Sequence, residues 1–219
     1  MSLTYMPTHP KFCTVAYSVS CLLDAVDGQA ARALGQTSKF GAILDMVTDR
    51  CTTSCLLCFL ASAYPRFALL FQFLISLDFS SHYIHMYASL ISGSASHKSV
   101  TKEQSWILWS YYNNSTTLFL MCGGNELFFV ALYVMNSYKV PLGVESLLHY
   151  LPKPILDVLP AQVYKQLALI TWPELIAAVT LPVMFVKQVI NVVQFFKASK
   201  VLVESDQEER YAKQHAKTK

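Results

Sequence analysis

Four carboxylates stand close together in the first quarter of the chain: Asp24 and Asp27 three apart, then Asp45 and Asp49 four apart. Either spacing sets side chains on one face of an α-helix. Two such faces joined by a short connection make a pocket lined with oxygen. Apolar sequence flanks both pairs, and an ionised Asp in hydrocarbon costs roughly 2.5–3.5 kcal/mol on insertion scales unless something neutralises it. Divalent cations answer that need, since Mg²⁺ takes carboxylate oxygen and leaves positions for water and substrate phosphate. Four carboxylates suit two ions about 4 Å apart, a clamp for the attacking and leaving oxygens of phosphoryl transfer. Between the pairs, Gly28 and Ala31 are small enough for a bulky ligand to approach the backbone, and Arg32 offers a bidentate fork for phosphate oxygens. Together these residues describe a diphosphate site. An ion pathway lined by carboxylates is the competing reading. Interfacial anchors are mostly Lys and Arg, and the spacing of an EF-hand loop is absent.

The elements that must position these residues lie in a membrane. Of 219 residues, 53% are hydrophobic and only 14% charged, against about 25% charged in soluble domains. The fold class is all-α, a polytopic membrane helix bundle. Spans of about 20 apolar residues fit 40–62, 67–91, 106–135 and 167–196. A shorter run from Phe12 to Leu23 leads into the first aspartates, giving five spans in all. A polar loop covers 92–104, and a connection bearing Pro141, Pro152, Pro154 and Pro160 precedes the last span. The expected organisation is a membrane-embedded domain over 1–196 and a charged cytosolic tail over 197–219. No basic n-region precedes the first apolar run, so no cleavable leader is expected. Eleven Lys and Arg lie on the side of the aspartates and the C-terminus against five on the other, with Lys187 inside the last span, which puts the carboxylates in the cytosol. A net charge of +3 argues against a nucleic-acid partner. Of the six cysteines, Cys55 and Cys58 form a C-x-x-C with no second pair at zinc spacing, and all six read as small packing residues.

The pattern D-x-x-D-G-x-x-A-R-x(8)-G-x-x-x-D-x-x-x-D, met by Asp24, Asp27, Gly28, Ala31, Arg32, Gly41, Asp45 and Asp49, is the signature of the CDP-alcohol phosphotransferases. The chain resembles that family from about residue 15 to residue 200. Outside the signature, Phe40-Gly41-Ala42-x-Leu44-Asp45-Met46-x-Thr48-Asp49-Arg50-Cys51, Ser94-x-Ser96-His97-Lys98 and Gly124-Asn125-Glu126-Leu127-Phe128 are most similar to the eukaryotic members whose acceptor is inositol. The resemblance implies that Asp24, Asp27, Asp45 and Asp49 hold two Mg²⁺ or Mn²⁺ ions and that Asp49 is the general base. It implies that Gly28, Arg32 and Ser38 contact CDP-diacylglycerol, that a myo-inositol hydroxyl attacks the lipid-side phosphorus, and that CMP leaves. It also implies an endoplasmic reticulum location and a homodimer. Glycerol 3-phosphate, serine, choline or ethanolamine remain alternative acceptors within the family. Family members have six spans, and this chain begins at what should be the second. A shortened, non-catalytic membrane isoform is therefore a further alternative.

On the third span Asp78, His82 and His85 stand at i, i+4 and i+7. Interhelical hydrogen bonding is the ordinary role of such histidines; lining an acceptor pocket, without ligating metal, is the functional one. In the 92–104 loop, His97 and Lys98 with their neighbouring hydroxyls suit hydrogen bonding to a polyol, and a merely solvated loop is the alternative. Asn125 reads as glue between helices. Glu126, at the same depth, needs a partner such as a histidine.

Overall fold

A computed structural model of the chain describes residues 2–91, 106–143, 162, 165 and 169–217. Among the described residues there is no strand, only an isolated antiparallel bridge between Pro141 and Thr171. The α-helices among the described residues are α1 (Pro10–Ala33), α2 (Lys39–Ala63), α3 (Ala68–Ile91), α4 (Trp106–Asn113), α5 (Ser115–Ser137) and α6 (Trp172–Lys217). The expected all-α membrane bundle is what forms.

Among the described residues, three helical stretches are long and apolar enough to cross a membrane: Pro65–Ile91, Ser115–Ser137 and Trp172–Ala216. Their surfaces are apolar, with Leu69 81% exposed and Phe119, Leu120 and Phe185 also outward. That is the pattern of side chains that meet lipid rather than water. The expected count is five spans; among the described residues α1 and α2 are also long enough, but they fall short on composition. At 24 and 25 residues each is about 36 Å long, yet half of each carries the aspartates and arginines of the site. One boundary also differs from the sequence expectation. The stretch 106–135 is not a single span, because Asn114 interrupts it. Its side-chain oxygen accepts hydrogen bonds from the backbone N–H of Thr116 and Thr117, starting α5 afresh with an N-cap.

The helix α6 begins at a capping box: Glu174 accepts from both the N–H and the hydroxyl of Thr171, and the Thr171 hydroxyl accepts from the Glu174 N–H. It then runs 46 residues, about 69 Å, more than twice the ~30 Å hydrocarbon thickness. The helix continues through the charged stretch that begins at Lys197.

Two compact units share these helices. One comprises Met1–Ala68 and Glu126–Pro182, the other Leu69–Asn125 and Val183–Lys219. In the first, Leu56, Leu57 and Leu60 of α2 and Phe129 of α5 are fully buried. Tyr133 donates to the Met6 carbonyl and Tyr64 to the Leu132 carbonyl, while Phe59 meets Tyr133 edge to face. In the second, Leu108 and Tyr111 of α4 pack on Ile190 of α6. There α5 and α6 approach closely at Gly124, where an added Cβ would sit 2.6 Å from a Val183 methyl. Small residues at helix contacts are how membrane helices gain packing.

Candidate metal centre

A helical hairpin carries the carboxylates. α1 ends in a Schellman arrangement, with the Gly35 N–H donating to the Arg32 carbonyl and the Gln36 N–H to the Ala31 carbonyl. Gly35 takes φ +66° there, a conformation that costs glycine nothing and other residues about 1–2 kcal/mol. Three residues later Ser38 caps α2, its Oγ accepting from the Gly41 N–H at 2.9 Å. The signature glycine at 41 thus has a local cause, since a Cβ on it would crowd that Oγ at 3.1 Å.

Because the chain reverses within this short link, α1 and α2 present the acidic faces to each other. One oxygen from each of Asp24, Asp45 and Asp49 lies within 4.8 Å of the other two, and all three residues are half-buried. Asp24 shares a carboxyl–carboxyl hydrogen bond with Asp49. It stands just beyond the apolar run that ends at Leu23. Burial, followed by the charges of Asp49, Asp45 and Asp27, pushes its carboxyl up to about 7. Oxygen donors close enough to raise the Asp24 carboxyl fit a hard divalent cation, which would relieve the repulsion and take the proton's place. Asp27 is exposed and is not one of the three. Arg50 lies 3.7 Å from Asp49. The Arg32 guanidinium folds back over Gly28, 3.5 Å from where a Cβ would stand.

Below the cluster sits a residue whose partners the sequence did not reveal. Glu126 accepts from the Tyr17 hydroxyl of α1 at 2.8 Å and from the Thr53 hydroxyl of α2 at 2.6 Å. The partner it is expected to need is met by these two hydroxyls. A sequence signal existed: Tyr17 is two turns before Asp24 and Thr53 one turn after Asp49, on the same helix faces.

In the other unit Asp78, His82 and His85 are part of a polar network among α3, α4, α5 and α6. His82 Nδ1 lies 2.8 Å from the Asp78 carbonyl and 3.5 Å from its carboxylate. Asn191 donates to Asp78 at 3.4 Å, and buried Lys187 donates to Asn191 at 2.7 Å. Lys187 also stands 5.4 Å over the Tyr111 ring, a cation–π contact. His85 stacks on Tyr112 with planes 2° apart. Asn125 accepts from Gln188 of α6, joining helices as its position suggests. His97 and Lys98 lie outside the described residues.

A family model described as CDP-alcohol phosphatidyltransferase matches residues 1–193. The chain belongs to that family. The CDP-diacylglycerol–inositol 3-phosphatidyltransferase of Schizosaccharomyces pombe is 50% identical over 214 residues, 97% of this chain and 86% of the relative. The Saccharomyces cerevisiae protein of the same description is 50% identical over 134 residues, covering 61% of each chain. That of Homo sapiens is 46% identical over 142 residues, 65% of this chain and 67% of the relative. No solved structure matches. CDP-alcohol phosphatidyltransferases are generally dependent on divalent metal, and among the described residues Asp24, Asp45 and Asp49 are a group that could hold such an ion.

Proposed function

We propose that the chain transfers a phosphatidyl group from CDP-diacylglycerol to myo-inositol, giving phosphatidylinositol and CMP. The observation that carries this reading is the convergence of Asp24, Asp45 and Asp49 at the head of the α1–α2 hairpin, in a chain half identical to relatives of that description. In the proposal two ions, Mg²⁺ or Mn²⁺, are held by these carboxylates, with Asp27 swinging in from the next turn of α1. Bound there, the ions supply positive charge that neutralises the diphosphate.

The remaining work falls to side chains. Gly28 admits the substrate close to the backbone, and Arg32 swings from over it to grip phosphate oxygens as a bidentate fork. Ser38 completes the contact at the hairpin link. Asp49 accepts the proton of the inositol hydroxyl as its oxygen bonds to the lipid-side phosphorus. The bond from that phosphorus to the CMP oxygen breaks, and CMP departs. Asp78, His82 and His85, with His97 and Lys98, are proposed as the acceptor's polar surroundings. Support comes from the buried polar side chains that Asp78 gathers, which can exchange hydrogen bonds with a polyol.

The proposed setting is the endoplasmic reticulum membrane. The site faces the cytosol, as the Lys and Arg distribution favours, and the tail 197–219 lies on the same side. A membrane-embedded domain over 1–196 and a homodimer complete the reading, the latter by family resemblance alone. Purified protein given CDP-diacylglycerol, Mn²⁺ or Mg²⁺ and each candidate alcohol in turn tests it. Inositol-dependent CMP release is the expected result. Product formed equally well without inositol would reject the acceptor, and no product with any alcohol would reject the activity.

A further inference from the structure

A metal site assembled from two helices works only if the helices keep their spacing, and positions must hold to about 0.5 Å. Asp24 belongs to α1, whereas Asp45 and Asp49 belong to α2. The link between them, residues 34–38, fixes only one end of the hairpin. Asp24 lies nine residues before the end of α1, about 13 Å down its axis, and Asp49 ten residues after the start of α2, about 15 Å down. A hairpin pinned only at its tip would let these levels splay.

Tyr17 and Thr53 lie deeper on the same two faces, at about 24 Å and about 21 Å by the same rise per residue. At that matched depth both hydroxyls donate to one carboxylate, the Tyr17 hydroxyl to Glu126 Oε2 and the Thr53 hydroxyl to Oε1. Glu126 comes from α5, a third helix. Its two oxygens therefore bridge α1 to α2 from outside, one turn below Asp49 and two turns below Asp24. A carboxylate inside an apolar bundle is costly unless its oxygens are partnered, and here a hydroxyl from each arm of the hairpin partners one of them. We infer that Glu126 is a positioning residue: with Tyr17 and Thr53 it sets the separation of α1 and α2 at the level where Asp24 meets Asp45 and Asp49, and so sets affinity for the divalent ion. This rests on the carboxylates being the metal site.

The test uses the full chain in detergent micelles, with Mn²⁺ binding read from the paramagnetic resonance of free Mn²⁺ and turnover followed across Mn²⁺ concentrations. Three variants suffice: Glu126→Leu, Glu126→Gln, and the double variant Tyr17→Phe with Thr53→Val, which preserves shape if the first does not fold. Gln still spans both hydroxyls, accepting from one and donating to the other, so Glu126→Gln should bind Mn²⁺ within about twofold of the parent. Glu126→Leu and the double variant should bind on the order of tenfold more weakly, the scale typical of groups that support metal ligands from behind. Their turnover should recover at saturating Mn²⁺, leaving the KM for inositol unchanged. Parent-like Mn²⁺ affinity in the double variant would overturn the inference while leaving the metal site intact. So would Glu126→Gln binding as weakly as Glu126→Leu, because charge and not spacing would then be at work. If the parent itself binds no Mn²⁺, the reading of the carboxylates falls, and this inference with it.

Discussion

Replacing Asp49 by Asn should trade activity for stability, and both sides follow from the cluster's geometry. Asp49 lies within 4.8 Å of both Asp24 and Asp45. Two unit charges at that distance repel by about 3.5 kcal/mol at an effective dielectric of about 20. Asp24 is partly protonated near pH 7 and the Asp49 side chain is 37% exposed, so screening reduces each repulsion to about 1 kcal/mol. Against the two repulsions stands the Arg50 contact at 3.7 Å, an ion pair also worth about 0–1 kcal/mol. The net relief is about 1 kcal/mol, which for a chain of this size raises the melting midpoint by about 2–4 °C. Turnover should fall by about 10²- to 10⁴-fold, the contribution of a positioned general base, with CDP-diacylglycerol binding largely kept. Thermal unfolding in metal-free detergent and CMP release from the same preparation read the two effects. A metal-free midpoint below the parent's, or turnover above about a tenth of the parent's, would refute the reasoning.

Other outcomes follow from the same structure. Because Asp24 must give up its proton to bind a cation, Mn²⁺ affinity should weaken as pH falls through about 7. The native state binds that proton more tightly than the unfolded chain, with the carboxyl raised from 3.8 to about 7. The Asp24 contribution to metal-free stability is therefore full below about pH 4 and is lost as pH rises from there through about 7, which pH-resolved melting curves check. Removing the α2 cap with Ser38→Ala should cost about 1 kcal/mol of stability. Ser38→Asp should retain the cap in the same unfolding assay. Gly124→Ala drives a Cβ to 2.6 Å from Val183 and should destabilise by about 1–3 kcal/mol, with Val183→Ala restoring much of the loss.

What could be read from sequence followed the range of the forces involved. Asp24, Asp45 and Asp49 were legible because helix periodicity and one short link bring them together. Asp27 was grouped with them on the same rule. Three residues carry a helix about 300° round, 60° short of a full turn, and it emerges exposed. The resemblance gives Ser38 a substrate contact, while the hydrogen bond it accepts from the Gly41 N–H also gives it a structural task. The break at Asn114 was written in Asn113-Asn114-Ser115 but outweighed by the apolar sequence on both sides. Glu126 needs a partner at its depth, but its partners lie 109 and 73 residues away, and the only sequence pointer to them is the helix face each shares with an aspartate. The Asp78 network was half visible: its α3 members share a helical face, whereas Asn191 and Lys187 arrive from α6.

The bracing of one hairpin at two heights has a consequence for which edits of length the chain can absorb. An extra residue between Gly35 and Ser38 enlarges a bend and leaves both helices in phase. An extra residue between Tyr17 and Asp24, or between Asp49 and Thr53, swivels everything beyond it by about 100° and advances it 1.5 Å. The hydroxyl anchors and the acids could then no longer face the same neighbour. Insertions are therefore expected to be tolerated at the bend and not within the seven- and four-residue intervals that separate anchors from acids.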